Sequence, residues 1–271
     1  MSIMTSPVGP EAFSLSGRTA LVCGASAGIG RATALALAGL GARVTGLARS
    51  AVKLAALRPQ LLDAGAAAAD FLVADLDDAP GLERKVAAWL EAHGPIHILV
   101  HNTGGPAAGK LLDADPAALL AAFQRHVLTA HRLVQMVLPG MQAAGYGRIV
   151  TVLSTSVREP IEMLGTSNTT RAAMAGWSKS MSRELPPGIT INNVLPGYTA
   201  TERLAELARG TAERTGREID SIEAEWREVV PEKRLARPEE IAAVIAFLAS
   251  PASSFVRGVS LAVDGGRMRS I

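Results

Sequence analysis

Between Leu21 and Gly30 the chain reads Leu-Val-Cys-Gly-Ala-Ser-Ala-Gly-Ile-Gly, an apolar run that breaks into Gly24, Gly28 and Gly30 before an Ala/Leu-rich stretch. A backbone without Cβ lets a phosphate come close, and a helix opening at that point offers free N–H groups and a favourable dipole. Gly24, Ser26, Ala27, Gly28, Ile29 and Gly30 are therefore candidate contacts to a pyrophosphate. A second chemical signal follows where the next apolar run ends, in Gly46-Leu47-Ala48-Arg49-Ser50. An acidic side chain there would accept the ribose 2′-OH of NAD, whereas a basic one accommodates the 2′-phosphate of NADP. Arg49, with Ser50 as a second phosphate contact, points to NADP(H); Ala27 adds no further cation, and NAD(H) stays open as the alternative.

These residues need a scaffold. From Arg18 to Arg49 the pattern is apolar segment, glycine-rich turn, helix, and apolar segment Ala42–Leu47, which is one βαβ unit. The alternation continues with strands at Ala69–Val73, Ile96–Val100, Arg148–Leu153, Ile189–Val194 and Gly258–Val263. Helices are expected at Leu82–His93, Pro116–Met141, Thr169–Glu184 and Glu239–Ala249. Strands alternating with helices of this length require crossover connections, so the fold class is α/β with a doubly wound parallel sheet in one domain. Residues 1–16 read as a flexible leader, and residues 17–271 as the domain. The polar stretch at about 198–231 reads as a helical excursion, either a substrate lid or a solvated insertion.

Composition narrows the classes. Hydrophobic residues form 48% of the 271, enough for a buried sheet, and a net charge of +2 without a basic run argues against nucleic acid as a partner. Cys23 is the only cysteine, which excludes an intrachain disulfide or a thiolate metal cluster and fits a reducing, cytoplasmic setting. No apolar run is long enough to suggest a membrane span, and no metal site is expected.

The glycine turn, preceded here by Cys23, resembles the T-G-x-x-x-G-x-G turn of the short-chain dehydrogenase/reductase family. The resemblance runs from about Gly17 to Gly266. It includes Asp75, His101-Asn102-Thr103-Gly104 where the family has N-N-A-G, Pro196-Gly197 after a strand, Pro238-Glu239-Glu240-Ile241, and the terminal Asp264-Gly265-Gly266. It implies a Rossmann fold and an oxidoreductase acting on a carbonyl/alcohol pair, assembled as a homo-oligomer, a tetramer or a dimer. It also extends the cofactor-binding set to Asp75 at the adenine, Leu76, Asn102, Gly104, Pro196, Gly197 and Thr199.

The same resemblance exposes departures. The family's catalytic serine matches Ser154, but thirteen residues on, where its Y-x-x-x-K motif begins, stands Ser167, and the lysine position holds Arg171. The asparagine of the preceding long helix falls on His126. An arginine can still donate to ribose hydroxyls, but an aliphatic hydroxyl is a far weaker acid than a phenol. Another group must then move the proton. His126 qualifies by its ordinary titration range, with a structural hydrogen bond as the competing role. Tyr198 lies in a loop that in the family passes the nicotinamide, and serves there as an acid or in packing. His101 reads as structural. Three functions remain open: an atypical NADP(H)-dependent reductase or dehydrogenase, a non-redox dehydratase, cyclase or isomerase on the same fold, or a silent dinucleotide-binding protein.

Overall fold

A computed structural model describes residues 9–270. Seven strands form one parallel sheet in the order β3-β2-β1-β4-β5-β6-β7: β1 Thr19–Cys23, β2 Arg43–Ala48, β3 Ala68–Val73, β4 Ile98–Asn102, β5 Gly147–Val152, β6 Ile189–Pro196 and β7 Ser260–Val263. The sheet is covered by α1 Gly28–Gly39, α2 Ala51–Asp63, α3 Ala79–His93, α4 Pro116–Phe123, α5 Thr129–Ala143, α6 Gly165–Glu184 and α9 Pro238–Ala249. The two remaining helices, α7 Glu202–Thr215 and α8 Ile219–Glu228, make up the excursion. One apolar cluster (Val22, Leu37, Val44, Leu54, Ile245) packs α1, α2 and α9 on one face, and a second (Leu21, Val86, Leu99, Leu133, Ile149) packs α3 and α5 on the other. Strands buried on both faces explain the near-continuous apolar runs in the sequence. The strand order reverses between β1 and β4, and a crevice opens there beyond the carboxyl ends of the strands.

The alternation is as expected, with instructive differences. α2 was not expected at all: Pro59 lies inside it, and its apolar residues surround the helix, although only Leu54, Leu57 and Leu61 are buried. β4 begins two residues late, because His97 is used beforehand, its Nδ1 accepting the Thr19 amide at 3.1 Å, and Ile98 is the first residue in register, opposite Ala20. β7 also starts two residues late, after Gly258 at φ +71°. The expected single helix from Pro116 to Met141 is α4 and α5 joined by a π turn, Gln124–Leu128, that carries His126. Of the expected flexible leader, the first eight residues lie outside the described part. Of the rest, Pro10–Phe13 form a short helical turn, and Ala12 and Leu15 are buried.

The excursion leaves and rejoins the body through a clasped neck. Thr199 and Ala236 form an isolated parallel bridge, with Ala200 N–H donating to the Ala236 carbonyl at 2.8 Å and Ala236 N–H to the Tyr198 carbonyl at 2.9 Å. Just beyond the neck, the Thr201 hydroxyl accepts the Leu204 amide and caps α7.

Candidate functional site

A cleft of about 600 Å³ runs along the crevice. Its walls bring together almost every residue expected from the sequence: Gly24, Ser26, Ala27, Gly28, Ile29, Arg49, Asp75, Leu76, Asn102, Gly104, Pro196, Gly197 and Thr199, together with Ser154, Ser167 and Arg171.

The turn after β1 supplies one end. Gly24 and Gly28 adopt φ of +65° and +51°, conformations that cost a side-chain-bearing residue energy. Ala27 sits at the N-cap of α1 with no side chain capping it, so the first amides of the helix are left for an outside acceptor. Gly30 does not line the cleft. A Cβ there would overlap the Gly24 carbonyl oxygen and come within 2.7 Å of Asn102 Nδ2, so its role is to let the helix and strand pack closely. Asn102 ties the turn from below, donating through Nδ2 to the Cys23 carbonyl at 3.3 Å. Arg49 is exposed at the cleft wall and near enough to Asp77 to help lower its pKa. Ser50 instead caps α2, accepting the Lys53 amide at 3.2 Å, and is not part of the wall.

At the other end, Ser154 follows β5, its Oγ accepting the Ser156 amide at 3.1 Å. Ser167 and Arg171 stand one turn apart on α6, both nearly buried. The Arg171 guanidinium donates to the Val152 carbonyl at 2.9 Å and, more weakly, to the Thr103 carbonyl at 3.4 Å. Burial and the nearby Arg203 lower its pKa to about 10, so it stays cationic at neutral pH.

Besides Gly30 and Ser50, two residues expected in catalysis are not brought to the cleft. His126 is 2% exposed and lies behind Thr103, its Nδ1 2.5 Å from the Thr103 hydroxyl and its Nε2 buried without a partner. Burial first, then the charge of Arg171, push its pKa down to about 2. The acid/base role considered for it is therefore corrected to that of a neutral wedge in the π turn, since a general acid or base must reach its proton and titrate near the working pH. Tyr198 faces away as well. Its ring stacks on Trp226 of α8 at 5.2 Å and lies under the Arg267 guanidinium at 4.8 Å, beside a separate pocket of about 250 Å³. Packing is the role the structure gives it, in place of the acid role. His101, fully buried, donates through Nε2 to the His126 carbonyl at 3.1 Å, as a structural residue would.

These two histidines carry a pH consequence. The pKa of His101 falls to about 4, mainly through burial. Both rings resist protonation in the folded protein and not in the unfolded chain, where 6.5 is usual. The unfolded state thus binds more protons below about pH 6.5, and stability falls as the pH drops through that value, by about 1.4 kcal/mol per pH unit for each ring once both states are well separated. Denaturation midpoints measured between pH 8 and pH 5 should decline most below pH 6.5, less steeply in a His126→Gln variant; an identical profile in that variant would contradict the assignment.

Among the cleft residues that sequence reasoning missed are Arg125, Arg203 and Thr201. Arg125 precedes His126 in the π turn and holds Asp77 at 2.7 Å. Arg203, in the first turn of α7, donates to the Pro106 carbonyl at 2.6 Å and so bridges the excursion to the loop after β4. Its closeness in sequence to Thr199 was the available signal.

Comparisons with known proteins agree with this geometry. A family model described as enoyl-(acyl carrier protein) reductase matches residues 24–267. The chain is 32% identical over 257 residues to 2,3-dihydroxy-2,3-dihydro-p-cumate dehydrogenase of Pseudomonas putida, covering 94% of this chain and 96% of that one. It is 33% identical to a 3-oxoacyl-[acyl-carrier-protein] reductase of Vibrio harveyi, covering 94% and 98%. Among solved structures, L-sorbose reductase from Gluconobacter frateurii, complexed with NADPH and L-sorbose, superposes with a TM-score of 0.90 at 27% identity, covering 96% of this chain and all of that one. With the fold, the glycine turn and the cleft in agreement, the chain belongs to the short-chain dehydrogenase/reductase family.

Proposed function

We propose that this protein is an NADP(H)-dependent oxidoreductase of a carbonyl/alcohol pair that works without the tyrosine and lysine of its family. The observation that carries this reading is a single cleft joining the uncapped N-terminus of α1 and Arg49 to Ser154, Ser167 and Arg171. NADP(H) fits these residues. The free amides of α1 and the glycine backbone would hold the pyrophosphate, Arg49 the 2′-phosphate, Asp75 and Leu76 the adenine side, and Asn102, Gly104, Pro196, Gly197 and Thr199 the remainder. When bound, the nicotinamide donates or accepts the hydride.

The chain's own residues do the rest. A hydroxyl has one proton and two acceptor sites; Ser154 Oγ already accepts from Ser156, so its proton is free to donate to a substrate oxygen. Arg171, at the place where the family has its lysine, would set a fixed positive charge beside that oxygen. With His126 sealed off and neutral, the proton travels through Ser167 and Ser154 from solvent in the open cleft. The relatives named above are reductases and dehydrogenases, which supports the redox reading over a silent binder. We include homo-oligomeric assembly in the proposal, supported by exposed apolar side chains on α4 (Leu120, Phe123) and at the β7 edge (Phe255, Leu261).

The test is to mix the protein with NADPH and a panel of ketones and follow oxidation of the reduced nicotinamide. Turnover is expected, and Ser154→Ala should lower kcat/KM by about 100- to 1,000-fold with NADPH affinity retained, as for loss of one donor to a developing oxyanion. NADPH binding without turnover across the panel, or conversion of a substrate with no nicotinamide present, overturns the proposal.

A further inference from the structure

Arg171 is the least compensated charge in the cleft. It is 8% exposed, and its donors meet only the Val152 and Thr103 carbonyls; among the described residues it makes no ion pair. A buried cation without an anion is costly, and this one faces a cavity that a ligand can enter. The other cleft cations differ: Arg125 is neutralised by Asp77, and Arg49 stands at the far, glycine-turn end.

A second guanidinium approaches the same point. Arg203 Nη2 and Arg171 Nη2 lie 3.6 and 3.8 Å from where a Cβ on Gly105 would stand, and Gly105 has no side chain to fill the space. The Arg203 ion pair with Glu206 is long, 3.5 Å, and half exposed, while Glu202, the other acid of that turn, reaches toward Lys53. Two like charges are thus held together by separate elements, Arg171 by α6 and Arg203 by the bond from α7 to Pro106. Planar forks with spare N–H groups match the geometry of a carboxylate. Arg171 stands one turn of α6 from Ser167 and is bonded to the Val152 carbonyl, two residues before Ser154, and all of these residues line the same cleft.

We propose that Arg171 and Arg203 form a subsite for a carboxylate on the substrate, so that the carbonyl compound turned over is an oxo acid and its alcohol partner a hydroxy acid. The carboxylate bridges the two guanidiniums over Gly105, which places the oxo carbon toward Ser154. Arg203 joins the site from the excursion, so the acid group also holds that excursion against the loop after β4.

The proposal rests on the reductase reading for the oxo group alone; the subsite itself is a matter of binding. The experiment therefore has two arms on the protein saturated with cofactor. In the first, short 2-oxo and 3-oxo acids are compared with their methyl esters as substrates of the NADPH-loaded enzyme. The acids should show kcat/KM about tenfold or more above the esters, the effect of one charge-assisted bond, and Arg203→Gln should erase that ratio. In the second, calorimetry on the NADP⁺-loaded protein compares short hydroxy acids with their amides, with the same tenfold preference and the same loss in Arg203→Gln. If esters turn over as well as acids, the subsite is overturned and the redox reading stands; if amides bind as well as acids, the subsite is overturned. If nothing turns over but acids still bind in preference, the redox reading falls and the subsite stands. If Arg203→Gln weakens NADPH binding tenfold and leaves the acid preference intact, the pair serves the cofactor's phosphates and the proposal is wrong.

Discussion

Gly30→Ala is expected to weaken NADPH binding by at least about 100-fold and to lower the stability of the protein by about 1–3 kcal/mol, the usual cost of forcing an extra methyl into a packed site. The added Cβ would overlap the Gly24 carbonyl oxygen and crowd Asn102 Nδ2, and neither can retreat. Gly24 is itself pressed against Asn102, where its own Cβ would be 2.7 Å from Nδ2 and 2.8 Å from the carbonyl oxygen. The helix must therefore swing away from the strand, carrying its free amides out of reach of the pyrophosphate. Gly39→Ala, at the other end of α1, meets only the Ala64 carbonyl at an ordinary 3.6 Å and serves as the control, with binding unchanged. Calorimetric titration with NADPH and thermal melts measure both effects. Unaltered affinity in Gly30→Ala would show that the turn is not the phosphate cradle.

Arg49→Asp should move the preference between NADPH and NADH by about 100-fold or more toward NADH. A guanidinium bonded to a phosphate contributes about 1.5–3 kcal/mol, and the substitution replaces that attraction with repulsion of the 2′-phosphate while offering the 2′-OH of NADH an acceptor. Arg49 also contributes to lowering the pKa of Asp77, so the substitution both removes a cation beside that carboxylate and adds an anion to the same part of the wall. Parallel titrations with the two dinucleotides read the ratio. No change in the ratio would remove the 2′-phosphate assignment from Arg49.

The doubly wound sheet was legible because its strands are buried on both faces and its helices on one, two periodicities that a sequence displays directly. The glycine turn was legible for a different reason, because three glycines at fixed spacing after an apolar run have few other uses. α2 was hidden by Pro59 and by alanines that give no face, and the π turn left no compositional mark, since one extra residue in a helix does not interrupt its apolar pattern. That turn decided the placing of His126. Chain position set it on the correct helix, but not whether the ring looks into the cleft or into the wall, and burial then moved its titration out of the useful range. Tyr198 likewise followed the expected loop, while its partner Trp226 lies twenty-eight residues on, in a helix whose docking no local pattern specifies. The convergence of Arg171 and Arg203 depends on two elements meeting over Gly105, which is tertiary information throughout.

The bridge between Thr199 and Ala236 closes the base of the excursion before any ligand arrives. With its ends tied, α7 capped by Thr201 and α8 stacked through Trp226 on Tyr198, the excursion is already ordered. Fixing a residue from a free chain costs about 1–2 kcal/mol, a toll that would have consumed the whole affinity of a small substrate had some thirty residues folded around it. Here the excursion is ordered without a ligand, so binding at the Arg203 end would not have to meet that ordering cost.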